Sequence, residues 1–254
     1  MRAFIHAFQG RPWNEDCEAA YDGFRTLGID CVLFTTNEEL DARAPEDVVV
    51  GGMLMMRHVL DQRGIVPDRY EYPNELARYL GRRIWTARVK DLRKEPLPFF
   101  VKPAEEKAAK GVVVRTWKDA EEYDRLGPEA EVLCSEAVDF RSEWRCFVRY
   151  GEILGVRSYH GDRAAACDRR VIERAVEDFT KAPAGCALDF GVTEDGRTLL
   201  IEVNDGMALG CYGLPGEAYA RLLSARWAEL NGTEDALDDR TDRYMRGKDH
   251  GHII

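Results

Sequence analysis

Three side chains set the chemistry open to this sequence. In the stretch Ala187 to Gly206, ALDFGVTEDGRTLLIEVNDG, Asp189 lies inside one apolar run, and Glu202 and Asn204 lie two apart in the next. Residues two apart on a strand share a face. The runs Cys186 to Val192 and Thr198 to Val203 flank Thr193-Glu194-Asp195-Gly196-Arg197, so the passage predicts a β-hairpin. A carboxylate among apolar strand residues must be paired or hold a cation, because an isolated buried charge is very costly. Two carboxylates and an amide oxygen make a hard, oxygen-only set suited to Mg2+, with phosphate oxygens and water completing the octahedron. The alternative is that Asp189 and Glu202 face solvent and Asn204-Asp205-Gly206 is only a turn. The glycine-rich segment after the paired strands favours the metal site.

Such a site needs cations as well. Phe99-Phe100-Val101-Lys102-Pro103 places a lysine at the end of a short apolar strand that a proline stops, so the stem is buried and the ammonium aimed. Glu143-Trp144-Arg145-Cys146-Phe147-Val148 turns at Tyr150-Gly151-Glu152 and returns as Ile153 to Ser158, a second hairpin carrying Glu143, Arg145 and Arg157. A guanidinium fork holds either a substrate carboxylate or transferring phosphoryl oxygens. Each arginine could instead pair with a neighbouring acid such as Glu143 or Glu152.

The elements that position these residues follow in chain order. Residues 1 to about 72 read as an α/β unit: strand Ala3 to Phe8, helix Asp16 to Leu27 closed by Gly28, strand Ile29 to Phe34, strand Val48 to Gly51, and helix Met53 to Gln62. The alternation implies a parallel sheet. Gly51-Gly52 lacks the G-x-G-x-x-G spacing of a dinucleotide loop, and Met53 to Met56 would crowd a pyrophosphate, so this segment reads as core or as a substrate-side wall. A short helix from Pro73 to Leu80 precedes the basic run Arg82 to Lys94, which reads as a solvated face. Ala104 to Gly111 suits a mobile lid. Strand Gly111 to Thr116, helix Lys118 to Leu126 and strand Glu131 to Ser135 complete a small α+β lobe. Helix 168–180 and a closing helix from near Pro215 to Leu230 flank the acidic hairpin. Residues 233–254, with His250 and His252, read as a loosely ordered tail.

Bulk properties narrow the class. The net charge of -10 and pI near 5.1 argue against a general phosphate-backbone binder, so no nucleic-acid partner is expected. Seven cysteines without a C-x-x-C pair read as reduced thiols and offer no zinc site. No apolar run approaches the roughly 18 residues of a membrane span, and the first residues lack the apolar core of a secretion signal. The expectation is a soluble, cytoplasmic protein with no membrane partner.

The order Lys-Pro after a strand, Ser135-Glu136-Ala137-Val138 at a hinge, Glu143-x-Arg145 after it, then Asp189 and Glu202-x-Asn204 on a hairpin resembles the ATP-grasp superfamily over roughly Phe99 to Leu230. It is most similar to a bacterial and phage clade with an S-E-W-R segment. The resemblance implies an α/β and α+β chain with the ATP-grasp fold: a small N-terminal α/β pre-grasp domain over residues 1–82, a lid lobe over 83–138, a large lobe with the metal site over 139–232, and the tail. It implies ATP and Mg2+ as cofactors. Lys102 then matches the strand lysine on the phosphates, and Lys90 the lysine upstream of the lid strand. Glu136 and Val138 match the hinge that reads the adenine edge, Glu143 the acid on the ribose hydroxyls, and Asp189, Glu202 and Asn204 the magnesium ligands. The usual glycine-rich lid is replaced here by the Ala, Glu and Lys of 104–110.

The implied activity is a carboxylate-amine ligase that passes through an acyl phosphate, with Arg145 and Arg157 as its catalytic arginines. Its substrates would be a small-molecule or peptide carboxylate and an amine. Contacts to them are expected from the first domain, from Arg145 to His160 with Tyr159, and from Gly206 to Gly213 with Tyr212. The alternatives are a kinase of the same fold, ending at phosphoryl transfer, and a nucleotide-binding regulator without chemistry.

Overall fold

The computed structural model describes residues 1–104 and 109–240. Within the expected lid and tail, residues 105–108 and 241–254, the latter with His250 and His252, lie outside the described residues. The first sheet joins β1 (Ala3–Phe8), the two-residue β2 (Arg11–Pro12), β3 (Cys31–Phe34) and β4 (Val48–Val50). As the alternation implied, β1 runs parallel to both β3 and β4. Helix α1 (Glu15–Thr26) starts at Asn14, whose side chain accepts the Cys17 N–H at 2.9 Å, and ends at Gly28 with φ of 76°. Helix α2 (Met53–Asp61) follows β4 through Gly51-Gly52.

The second sheet has the order β5-β8-β6-β7, built from β5 (Ile84–Arg88), β6 (Phe99–Pro103), β7 (Val112–Val114) and β8 (Glu131–Glu136). The basic run 82–94 is therefore only partly a solvated face. It forms β5 and a 3-10 turn whose Val89 and Leu92, three residues apart and so on one side of the turn, are buried. Arg82 donates to the carbonyls of Leu200 at 2.7 Å and Ile201 at 2.8 Å. Segments 74–79 and 117–126 are 3-10 helices; the second opens at a Thr116/Asp119 capping box and stops at Gly127.

The third sheet, β10-β9-β11-β12, is entirely antiparallel. Its strands are β9 (Phe140–Arg149), β10 (Glu152–Gly161), β11 (Gly185–Thr193) and β12 (Thr198–Asp205), so both predicted hairpins form and pair with each other through β9 and β11. The amphipathic helix α3 (Arg169–Asp178) buries Ile172, Ala175 and Val176 against this sheet's core.

Helix α4 (Gly216–Asn231) ties the first sheet to the third. Its Tyr219, Leu222, Leu223 and Trp227 share one core with Ile5, Phe24, Val49 and Leu60, and with Phe147 and Ala187 of the third sheet. The helices α1 and α4 meet at two glycines: a Cβ on Gly23 would stand 1.9 Å from the Gly216 carbonyl oxygen. No side chain fits there. Beyond α4, residues 233–240 are anchored, against expectation. The buried Asp235 accepts from Arg149 at 2.9 Å, and Leu237 joins the core. Among the described residues no helix is long and apolar enough to cross a membrane.

Candidate active site

The register of the third sheet aligns Arg157, Arg145, Asp189 and Glu202 in one row across four strands. Directly opposed residues on paired strands share a face, and Glu202 shares it with Asn204 by the two-residue period. The three expected metal ligands and both expected arginines therefore stand together on one side of the sheet.

Their partners differ from a bare ligand set. Asp189 is 2 % exposed and Arg145 7 %, and the guanidinium meets the carboxylate bidentately, Nε to Oδ1 and Nη2 to Oδ2, both at 2.8 Å. The Asn204 amide nitrogen donates to the same Oδ2 at 3.0 Å. Burial pushes the Asp189 carboxyl up, with the Arg145 fork opposing. Burial alone would lower the Arg145 guanidinium, but its hydrogen bonds to Asp189 hold it above its ordinary value. The fork that could have held a substrate carboxylate is thus spent on Asp189. Nη1 is left, with a long 3.5 Å bond to the Gly210 carbonyl. The rings of Tyr212 and Tyr159 lie 4.8 and 5.7 Å from the guanidinium and stack on each other at 4.9 Å. Tyr212 is held at φ of 43°, an unusual conformation for a residue with a side chain.

A cavity of about 710 Å3 opens in front of this row, within the size range of small-ligand sites. Lys102, Arg145, Glu202 and Asn204 line it, with Met53 of α2 and Met207 to Leu209 on other walls. Of the segments expected to meet substrate, α2, Arg145 and Met207 to Leu209 line the cavity, whereas Tyr159 and Tyr212 are not among its lining residues. Gly206 makes that turn possible, since a Cβ there would stand 2.3 Å from the Gly185 carbonyl oxygen. Asp205 is not part of the oxygen set: Arg226 holds both of its oxygens, and it caps the turn through Met207 N–H.

Lys102 reaches the cavity from the C-terminal end of β6, an inner strand of the second sheet. Its ammonium lies 2.7 Å from Glu202 Oε2 and 3.8 Å from Glu71 Oε2, above the Tyr72 ring at 5.1 Å from its centroid. Burial would lower it, but Glu202 leads the groups that hold it above its ordinary value. Glu71 and Tyr72 were not picked out in the sequence. They sit on the connection between the first and second sheets, and the Glu71 carbonyl accepts the Val203 N–H at 3.0 Å, which lays this connection beside β12. No motif marks them, because the contact comes from chain crossing.

The remaining expected residues are dispersed. Glu136 ends β8 and accepts from the Arg83 backbone N–H at 2.9 Å. Val138 lies in the link between β8 and β9, and among the described residues its backbone N–H and C=O make no hydrogen bond. Glu143 lies two residues before Arg145 on β9, against Tyr159, whose hydroxyl is pushed up by burial and then by Asp189 and Glu143. Arg157 donates to the Gly213 carbonyl at 3.1 Å and braces the loop that carries Tyr212. Lys90 is exposed and paired with Glu129 at 2.6 Å, beside a separate recess of about 170 Å3.

Among the described residues no three His, Cys, Asp or Glu side chains converge as a ready metal cage. Glu202 and Asn204 still fit a cation: both line the cavity, and the Asn204 amide, fixed by its nitrogen on Asp189, turns its oxygen away from that carboxylate. Asp189, with both oxygens bonded, stands behind them.

Solved structures share this architecture. The D-cycloserine synthetase DcsG is similar with a TM-score of 0.56 at 14% identity, covering 89% of this chain and 99% of its own. The D-alanine--D-alanine ligase from Bacillus anthracis is similar with a TM-score of 0.54 at 16% identity, covering 91% and 97%. The macrocyclase MdnC from Microcystis aeruginosa MRC, bound with precursor peptide MdnA, gives 0.51 at 14% identity, covering 88% and 99%. At such identities the likeness is one of fold. No curated protein matches the sequence. The model of the ATP-grasp domain, R2K clade family 2, matches residues 79–222. That span is more than half of the 254 residues and includes both hairpins and Lys102, so the chain belongs to the R2K clade of the ATP-grasp superfamily.

Proposed function

We propose that the protein is an ATP-dependent ligase that activates a carboxylate as an acyl phosphate and joins it to an amine. The observation that carries this reading is the convergence of Lys102, Glu202, Asn204 and Arg145 on one cavity between the sheets. Glu202 and Asn204 would hold Mg2+, with Asp189 joining only if it gave up a bond to Arg145 or Asn204. The ion would neutralise phosphate charge and keep the triphosphate in line.

The chain's own groups divide the remaining work. Lys102 binds phosphate oxygens once drawn from Glu202. The unbonded backbone of Val138, beside Glu136, faces the adenine edge, and Glu143 accepts from the ribose hydroxyls. Arg145 offers Nη1 to the reacting carboxylate while Asp189 fixes its plane, and Arg157 positions the Tyr212 loop. Lys90 would reach a phosphate only by leaving Glu129. The domain reading follows the sheets, with residues 1–82, 83–138 and 139–232 around the site and the tail beyond. The neighbours' names, which include an amino-acid ligase and a peptide macrocyclase, favour an amino acid or peptide as substrate. Seven free cysteines favour the cytoplasm.

The test is ADP release from Mg-ATP with amino acids and short peptides, supplied singly and in pairs. A ligase needs an acid for turnover, and hydroxylamine converts the activated acid to a hydroxamate. Glu202→Gln should abolish ADP formation without unfolding the chain. A stable phosphorylated product from one substrate, with no hydroxamate, would make the protein a kinase. Nucleotide binding without turnover on any substrate would favour a regulator.

A further inference from the structure

We propose that Lys102 is the resident cation of the nucleotide-free site, held between Glu202 and Glu71, and that Glu71 is a carboxylate of the cation site outside the Glu202-x-Asn204 pattern. The inference rests on the reading of the cavity as a metal-nucleotide site.

Three placements carry it. The Lys102 ammonium is 2.7 Å from Glu202 Oε2 and 3.8 Å from Glu71 Oε2, so one positive charge serves two carboxylates from different parts of the chain. Its side chain is 17% exposed, whereas those of Glu202 and Glu71 are 29% and 37% exposed, so the acids reach the cavity and the lysine fills the gap between them. Glu71 is also fixed in place, because its carbonyl is bonded to the Val203 N–H next to Glu202. Glu71, Glu202 and Asn204 all line the same cavity, and together they offer two carboxylates and an amide oxygen, a set that suits a hard divalent ion.

An ammonium and a metal ion cannot share that position. Metal therefore enters as Lys102 leaves, and Lys102 leaves when phosphate oxygens offer a stronger counter-charge. Metal and nucleotide then bind interdependently, each opening the site for the other. Without nucleotide, the one ammonium also offsets one of the two negative charges and so weakens the repulsion between the acids in the cavity.

The experiment is Mn2+ binding without nucleotide, followed by the loss of the free-ion electron paramagnetic resonance signal. It compares wild type, Lys102→Met, Lys102→Gln, and the double variants that add Glu71→Gln or Glu202→Gln to Lys102→Met. Removing the competing charge should tighten Mn2+ binding by at least about tenfold, since a unit charge at contact distance is worth that much even when well solvated. Adding Glu71→Gln or Glu202→Gln should return most of the gain. Unchanged Mn2+ affinity in whichever Lys102 variant keeps the wild-type melting profile would overturn the resident-cation role. A gain that Glu71→Gln leaves intact would overturn the role of Glu71. Calorimetric binding of a non-hydrolysable ATP analogue with Mg2+ to wild type separates this inference from the functional reading. Nucleotide binding with a flat Mn2+ series sinks only the cation exchange, and the predicted Mn2+ series without nucleotide binding sinks only the ligase reading.

Discussion

Asp189 keeps a charge inside a strand core because Arg145 answers it with two bonds of 2.8 Å. Taking one member of such a buried pair away leaves the other unpaired, at a typical cost of about 3–5 kcal/mol, whereas replacing both with apolar groups is often close to neutral. Arg145→Met should therefore lower unfolding stability by about that amount, and Arg145→Met with Asp189→Leu should recover most of it. Equal stability of the single variant and wild type in urea would show that the pair does not support the fold. The acid, the amide and the lysine were legible in the sequence because each breaks an apolar pattern. Their pairing was not: Arg145 and Asp189 are 44 residues apart, and register between two hairpins leaves no mark on either. The same holds for Glu71, which meets Lys102 only because the connection from the first sheet runs beside β12.

The hairpins and α1 could be read from alternation, periodicity and caps, which are local signals. The 3-10 form of segments 74–79 and 117–126 was not legible, since the same spacing suits a short α-helix. Neither was the inner side of the basic run 82–94, where charge outweighed the buried Val89 and Leu92. The first sheet offers a pH test at this scale. Asp47 accepts from Arg2 N and Nη2, both at 2.7 Å, and from Ala44 N at 2.9 Å, which fixes the turn before β4 to the start of β1. Burial alone would raise its carboxyl, but the Arg2 side chain and the backbone N–H groups hold it below the usual value. A lowered native pKa stabilises above the unfolded value of about 3.9 and loses that contribution as pH falls through the lowered one. Asp47→Asn should thus cost about 1–3 kcal/mol near neutrality, and the gap to wild type should narrow below about pH 4. A gap that stays constant in urea unfolding at both pH values would contradict the role of the charge.

At the scale of the molecule, the three sheets follow the chain in order, which is why their succession could be read from composition and pattern. What could not be read is how they close on one another. Gly23 and Gly216, more than half the chain apart, let α1 and α4 touch. Asp235 and Leu237 return from beyond α4 to Arg149 and the core, in a stretch whose charged composition suggested a loose tail. The cavity is a product of that closure, since its walls come from α2 beside the first sheet, the end of β6 in the second and the face of the third. If this cavity is the metal-nucleotide site, a crystal structure with Mg2+ and a non-hydrolysable ATP analogue will show both in it. Phosphate oxygens should lie on the Lys102 ammonium and the metal on Glu202 and Asn204, with the adenine edge at Val138. A triphosphate bound elsewhere, with Lys102 still paired to Glu202, would contradict that assignment.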